Sequence, residues 1–248
     1  MKPYNTVFHW SGGKDSSIAL HRMLGGNSYR IDSLLTTMNR DRGRVSMHGV
    51  RIELIEKQAE QIGIPLTTLE LSDQPEMQEY NQRMKEKMQN FLQQGYSHAA
   101  FGDIFLEDLK LFREKQMEDV GMIPVFPIWQ GDTRELIRQF IDDGFKAVIA
   151  CAKSDKMEAS FAGRLIDESF LNDLPDDVDP CGENGEFHTF VYDGPIFSEP
   201  VRFKKGEVIY REYNAPKEDD DQCGLSDERD PKKMGFWFCD LLPDGDGK

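Results

Sequence analysis

The stretch "VFHWSGGKDSSIAL", residues 7–20, decides the fold. A short apolar run stops at two glycines, a lysine, an aspartate and two serines, and apolar spacing resumes at Ile18, Leu20, Met23 and Leu24. Residues 6–10 suit a buried strand, Gly12 and Gly13 permit backbone angles that a side chain would forbid, and residues 16–24 carry helical spacing. The unit is therefore strand, tight loop, helix. A helix that starts beside a glycine turn leaves backbone N–H groups pointing one way, with the positive end of the helix dipole behind them. Such a place binds anions, phosphate above all. Lys14 adds a full charge, the hydroxyls of Ser11, Ser16 and Ser17 are able to donate to phosphate oxygens, and Asp15 is placed to cap the helix or hold a metal. The competing reading is an ordinary glycine turn with a solvated lysine and a serine N-cap. The pattern is not GxxxxGK[ST], because the lysine follows adjacent glycines and precedes aspartate.

With 248 residues, 38% of them hydrophobic, the chain can bury a sizeable core in one or two domains. A net charge of -15 argues against broad capture of DNA or RNA, which needs a basic surface to displace counterions. Cys151, Cys181, Cys223 and Cys239 are widely spaced with no CxxC, which disfavours a structural zinc site and points to a reducing compartment. No apolar run approaches a membrane span, and "MKPYNTVFHW" lacks the apolar core of a signal peptide. A soluble, cytoplasmic protein without a membrane partner is expected.

Working outward from the loop, residues 31–38 read as a second strand, 50–63 as a helix with a glycine stop, and 65–71 as a third strand. A polar helix over 75–94 precedes "SHAAFGDI", a small-residue strand ending at Gly102 and Asp103. Residues 107–120 are helical, "MIPVFPIW" is a short extended segment broken by prolines, and a helix over 132–143 leads into the strand "FKAVIACA". Strands separated by helices imply an α/β fold, a parallel sheet with helices on both faces, whose ligands sit beyond the carboxyl ends of the strands. The second half changes character. "GRLIDESFLNDLP" suggests a short helix, while "GEFHTFVYD", "PVRFKKGEVIYREY" and "FWFCDLL" read as strands, the middle one as a hairpin around Gly206. "KEDDDQCGLSDERDPKK" is charge-rich and reads as a mobile loop.

"SGGKDS" after a first strand resembles the pyrophosphate-binding loop of the N-type ATP pyrophosphatases, which include GMP synthetase, asparagine synthetase, argininosuccinate synthetase and tRNA-thiolating enzymes. A second motif, "CGENGEFHTFVYDGPIF" at residues 181–197, is similar to the signature of the diphthine-ammonia ligase family, and "PVFPIW" followed by "ELIRQFIDDGFKAVIACA" resembles the segment leading to it. The resemblance implies a Rossmann-like nucleotide-binding domain of ATP pyrophosphatase type at residues 1–128 and a smaller C-terminal α+β substrate domain at 129–248. It also implies an enzyme that adenylates a carboxylate with ATP and Mg2+, passes free ammonium nitrogen to it, and releases AMP and pyrophosphate. A homodimer stays open.

Position by position, the resemblance places Ser11, Gly12, Gly13, Lys14, Asp15 and Ser16 at the nucleotide, with Lys14 and Asp15 catalytic and Asp15 on the metal. His48, Gly102 and Asp103 fall on the nucleotide side, and Arg113, Gly182, Asn184 and Thr189 on the substrate side. In the second motif Gly182 and Gly185 suit a tight loop, Glu183 and Glu186 present carboxylates that hold ammonium or take its protons, and Asn184 and Thr189 add polar contacts. The competing reading there is a glycine turn opening a hairpin with solvated glutamates. Cys181 is a packed thiol, since adenylation needs no nucleophilic cysteine. Two other classes share the fold: a tRNA-modifying enzyme, disfavoured by the missing CxxC and the net charge, and a non-catalytic adenine-nucleotide sensor.

Overall fold

The computed structural model describes residues 2–46, 48–73, 75–214 and 233–244. The first half alternates strand and helix as its patterning predicts. β1 (Tyr4–His9) runs through the glycine loop into α1 (Lys14–Leu24), and β2 (Tyr29–Asn39) and the short β3 (Arg44–Val45) precede α2 (Ile52–Ile62). β4 (Leu66–Leu71), α3 (Met77–Gln93), β5 (His98–Ala100), α4 (Glu107–Glu118) and β6 (Ile123–Val125) follow. β4, β2, β1, β5 and β6 lie side by side in that order, all parallel, and β3 adds an antiparallel contact at Met38 and Asn39. The prolines of "MIPVFPIW" do not prevent a strand, because β6 is the sheet edge, where Pro124 is tolerated. Winding reverses between β1 and β5, which opens a crevice beyond their carboxyl ends.

The second half builds a separate antiparallel sheet. α5 (Thr133–Asp142) and α6 (Glu168–Asp173) start at Asp132 and Asp167, whose carboxylates accept from the amides of Glu135 and Phe170. β7 (Lys146–Lys153), β8 (Phe187–Asp193), β9 (Phe203–Asn214) and β10 (Lys233–Pro243) stand in the order β8-β7-β10-β9. The expected hairpin at Gly206 is not formed. β9 passes straight through it, and the register against β10 slips between Cys239 and Leu241, so Gly206 marks a bulge where a Cβ would lie 3.1 Å from the Asp240 carbonyl oxygen. The charged stretch at 217–232 lies outside the described residues. Among the described residues no helix is long and apolar enough to cross a membrane.

Strand alternation sends β1 side chains to opposite faces. Val7 joins a core with Met84 and Met88 of α3 and Met117 of α4, whereas Phe8 joins a larger core with α1 and α2 that continues into Val148, Phe187, Phe190 and Leu241 of the second sheet. This shared core brings β8, the edge strand of the second sheet, against the glycine loop. Val191 N–H donates to the Gly12 carbonyl at 2.9 Å. Gln58 of α2, fully buried, donates to the same carbonyl at 3.0 Å and to the Val191 carbonyl at 2.5 Å, and accepts from the Trp10 indole at 2.9 Å. Gly12 has φ of +78°, and a Cβ there would collide with Ile55 and Gln58, so only glycine fits. Gln58→Leu leaves the Trp10 N–H and the Val191 carbonyl buried without these partners, at about 1–3 kcal/mol each. Urea unfolding should show a loss of about 2 kcal/mol or more; a loss below about 0.5 kcal/mol contradicts the clamp.

Candidate functional site

The glycine loop is braced from within. Ser11 Oγ accepts from Gly13 N–H at 3.2 Å and donates to Ser16 Oγ at 3.1 Å, while the hydroxyls of Ser16 and Ser17 each donate to the Gly13 carbonyl at 2.9 Å. The three hydroxyls thus shape the loop, in place of the outward donation expected from the sequence. Lys14 N–H reaches across to Thr189 Oγ1 of β8 at 3.0 Å. The amides of Asp15 and Ser16 lie in the first turn of α1, with no helical carbonyl behind them. Gly102, just past β5, packs on this turn: a Cβ there would stand 3.0 Å from Ser16 N, over the amide that an anion would use. Gly13 is pressed equally closely, by His48 Cε1 and the Thr189 carbonyl at 3.1 and 3.2 Å from its missing Cβ.

Lys14 is only 2% exposed, with its ammonium 2.8 Å from Asp15 Oδ2 and 5.1 Å from the centre of the Phe187 ring. Burial alone would lower its pKa, but Asp15 and Glu183 hold it above the ordinary lysine value, so it stays a cation. Burial raises the Asp15 carboxyl, against the pull of Lys14, and raises the Asp103 carboxyl, against Arg113. Asp15 Oδ1 and Asp103 Oδ2 are both buried without a hydrogen-bond partner, and the Asp15 charge is felt at Asp103. Among the described residues no cluster of three or more His, Cys, Asp or Glu side chains forms a complete metal cage. Two unpartnered carboxylate oxygens beside the glycine loop suit Mg2+, which takes one or two carboxylates and completes its shell with other oxygen ligands.

The second motif is not a solvated hairpin start. Gly182 and Gly185 take φ of +66° and +80°, as a tight loop requires. Asp179 organises that loop: its Oδ1 accepts from the amides of Cys181 at 3.0 Å and Glu183 at 3.2 Å, and its Oδ2 from Thr133 Oγ1 at 2.7 Å. Glu183 Oε1 accepts from the amides of Ile104 at 2.8 Å and Phe105 at 3.4 Å, stapling the motif to the segment after β5. Burial, reinforced by Asp15, pushes the Glu183 carboxyl up to about 7, against the Ile104 amide and Lys14. Glu186, 4% exposed, accepts on Oε1 from Asp179 N–H and Asn184 Nδ2, both at 3.1 Å, and its buried Oε2 has no partner. Cys181 is a buried thiol that donates to the Thr133 carbonyl at 3.4 Å, and burial raises its pKa.

His48 arrives at the loop on the turn after β3, where Asp240 of β10 accepts from Arg44 at 2.9 Å and Arg51 at 2.8 Å. Its ring lies 4.5 Å from that of His188, and burial lowers it to about 4, so both imidazoles are neutral. Among the described residues Arg113 has no salt-bridge partner; its Nη1 donates to the Tyr80 hydroxyl at 2.6 Å and its guanidinium lies 5.2 Å from the Phe101 ring centre. Ser11 to Ser16, His48, Gly102, Asp103, Glu183 and Thr189 therefore surround one place, with Arg113 beside Asp103 and Glu186 braced through Asp179. Sequence reading missed Gln58, Asp179 and His9. Gln58 interrupts the apolar stripe Leu54, Ile55, Ala59, and Asp179 precedes a Pro-Cys-Gly turn, so each carried a weak signal.

Comparison with known sequences bears on this geometry. The diphthamide synthase N-terminal domain profile matches residues 4–124, and its C-terminal counterpart matches residues 132–217. The chain belongs to the diphthamide synthase family. Diphthine-ammonia ligase of Homo sapiens is 26% identical over 121 residues, covering 47% of this chain and 45% of that protein. The Schizosaccharomyces pombe protein of the same name is 24% identical over 123 residues, 43% of this chain and 20% of its own length, and the Bos taurus one is 25% identical over 121 residues. The matched segment thus spans less than half the length of these relatives.

Glu183 sets a pH dependence. It holds its proton to about 7 when folded, against an ordinary 4.5, so folding favours the protonated group and stability falls as pH rises through that window. Glu183→Gln removes this loss. Melting temperature relative to wild type should therefore rise from about pH 5 to about pH 8; parallel profiles for the two proteins would show that Glu183 titrates normally.

Proposed function

We propose that this chain is an ATP-dependent amide ligase that adenylates the carboxylate of diphthine and transfers ammonia to it. The observation that carries the reading is the convergence of the phosphate loop and the second motif: Thr189 binds the Lys14 amide, and Glu183 acts electrostatically on Lys14. The human and yeast relatives named diphthine-ammonia ligase support the substrate. On this reading residues 1–128 bind the nucleotide, and the second motif within residues 129–248 serves the ammonia step.

A carboxylate does not react with ammonia directly, because oxide is too poor a leaving group. Attack of the acceptor carboxylate on the α-phosphorus of ATP breaks the α–β bond, releases pyrophosphate and leaves an acyl adenylate. Ammonia then attacks the acyl carbon and AMP departs. The Asp15 and Ser16 amides, the α1 dipole and Lys14 receive the phosphates and stabilise the departing pyrophosphate. Mg2+, held by Asp15 Oδ1 and Asp103 Oδ2, would supply further positive charge to the phosphate oxygens. Gly102 keeps the Ser16 amide open, and neutral His48 walls the loop without competing for phosphate charge. Glu183, poised near neutrality, holds ammonium and takes the proton that the attacking nitrogen must lose. Glu186 Oε2 adds a second acceptor, and Asn184 orients that carboxylate.

Two variants separate the roles. Lys14→Ala removes a charge-assisted contact of about 1.5–3 kcal/mol, so ATP affinity or turnover should fall about tenfold or more. Glu186→Gln keeps the shape but removes an acceptor, so ATP should bind as in wild type while amide formation drops. Calorimetry with ATP, and AMP and pyrophosphate release with a diphthine-bearing elongation factor and ammonium, read both. Unchanged binding and turnover in Lys14→Ala would reject the nucleotide placement, and wild-type protein that binds ATP but releases no AMP would be a sensor.

A further inference from the structure

Near the carboxyl ends of β1 and β5, three buried polar atoms find no partner among the described residues: His9 Nε2, Asp103 Oδ2 and Arg113 Nε. Buried polar groups in native proteins are paired, so a cluster of unpaired ones marks a place built for a ligand. His9 and Arg113 share one aromatic wall. The His9 ring stacks on Phe101 with centres 4.2 Å apart, the Arg113 guanidinium carbon lies 5.2 Å from the same ring centre, and Phe126 stacks on Phe101 at 5.6 Å. The Arg113 charge is felt at both His9 and Asp103. Tyr80 takes the Nη1 hydrogen and so fixes the guanidinium while leaving Nε free.

The chemistry of the two remaining atoms selects the occupant. Arg113 Nε can only donate and is always charged. Burial, with Arg113 adding to it, keeps His9 neutral, and a neutral imidazole with its hydrogen on Nε2 donates without adding a second cation. Two donors over an apolar ring suit a planar, singly charged acceptor group. The place also adjoins the phosphate loop, because Gly102, next to Asp103, packs directly on the Ser16 amide. We propose that His9 and Arg113 form the grip that holds the acceptor's carboxylate against Phe101 for adenylation, with Tyr80 as a positioning residue. This rests on the ligase reading above and extends it by making His9, on the strand before the loop, a determinant of acceptor recognition.

Two experiments decide it separately from the identity of the acceptor. In the first, succinate is titrated into full-length protein carrying a non-hydrolysable α,β-methylene ATP analogue, and the histidine ring nitrogens are followed by NMR, with His9→Gln assigning the His9 signals. A saturable shift at His9 that disappears in Arg113→Gln is expected; unmoved His9 signals, or an equal shift at the remote His21, overturn the grip. In the second, the diphthine-bearing elongation factor is the acceptor. His9→Ala should raise KM for that acceptor about tenfold with ATP affinity unchanged, and His9→Gln, which keeps an N–H, should recover part of the loss. A weakened ATP affinity with an unchanged acceptor KM would place His9 in the nucleotide pocket and overturn the proposal. Wild-type protein that forms no amide on the elongation factor defeats the diphthine reading alone, since the succinate shift still tests the grip.

Discussion

The structure turns on the hydrogen bonds between the Gly12 carbonyl, the Val191 amide and the Gln58 side chain. β8 is the edge of its sheet and would otherwise expose a row of unpaired backbone groups. The glycine loop covers that edge, and in doing so it fixes where the loop stands relative to the motif that precedes and includes β8. Every later feature follows from this contact: Thr189 meets the Lys14 amide two residues before Val191, and Phe187, at the start of the same strand, lies under the Lys14 ammonium. The two sheets therefore act as one frame around a single centre.

That frame permits an arrangement of charge that open solvent would not reward. Lys14, Asp15, Asp103, Glu183 and Glu186 are gathered into a small, largely dry region of a chain with net charge -15. Burial pushes the Asp15, Asp103 and Glu183 carboxyls up, Glu183 to about 7, while Asp15 keeps the buried Lys14 ammonium charged. The unpartnered oxygens of Asp15, Asp103 and Glu186 add to this strain. On the proposed ligase reading, a nucleotide with its metal, an ammonium ion and an acceptor would supply the missing partners.

Much of this was legible in the sequence. Strand and helix alternation, the glycine stop at Gly63 and the tight glycine loop before α1 are local: each depends on spacing or backbone freedom within a few residues. The tight loop that carries Glu183 and Glu186 was legible through Gly182 and Gly185. Gly206 misled because a bulge glycine and a turn glycine look alike in one dimension, and only the slip against β10 tells them apart. Gln58 and His9 stayed hidden for another reason. Their meaning lies in partners far along the chain, Val191 standing 133 residues from Gln58, and no local pattern encodes such a meeting.

Hydrogen exchange at the Val191 amide tests the joined frame most directly. Val191 stands opposite Ala147 of β7, and its own amide donates across the two sheets to the Gly12 carbonyl at 2.9 Å. The account predicts exchange as slow as that of the core amides of β7, with or without ATP, and acceleration in Gln58→Leu. Exchange at the rate of an exposed edge strand in the wild-type protein would mean that loop and β8 are not joined, and would contradict the account.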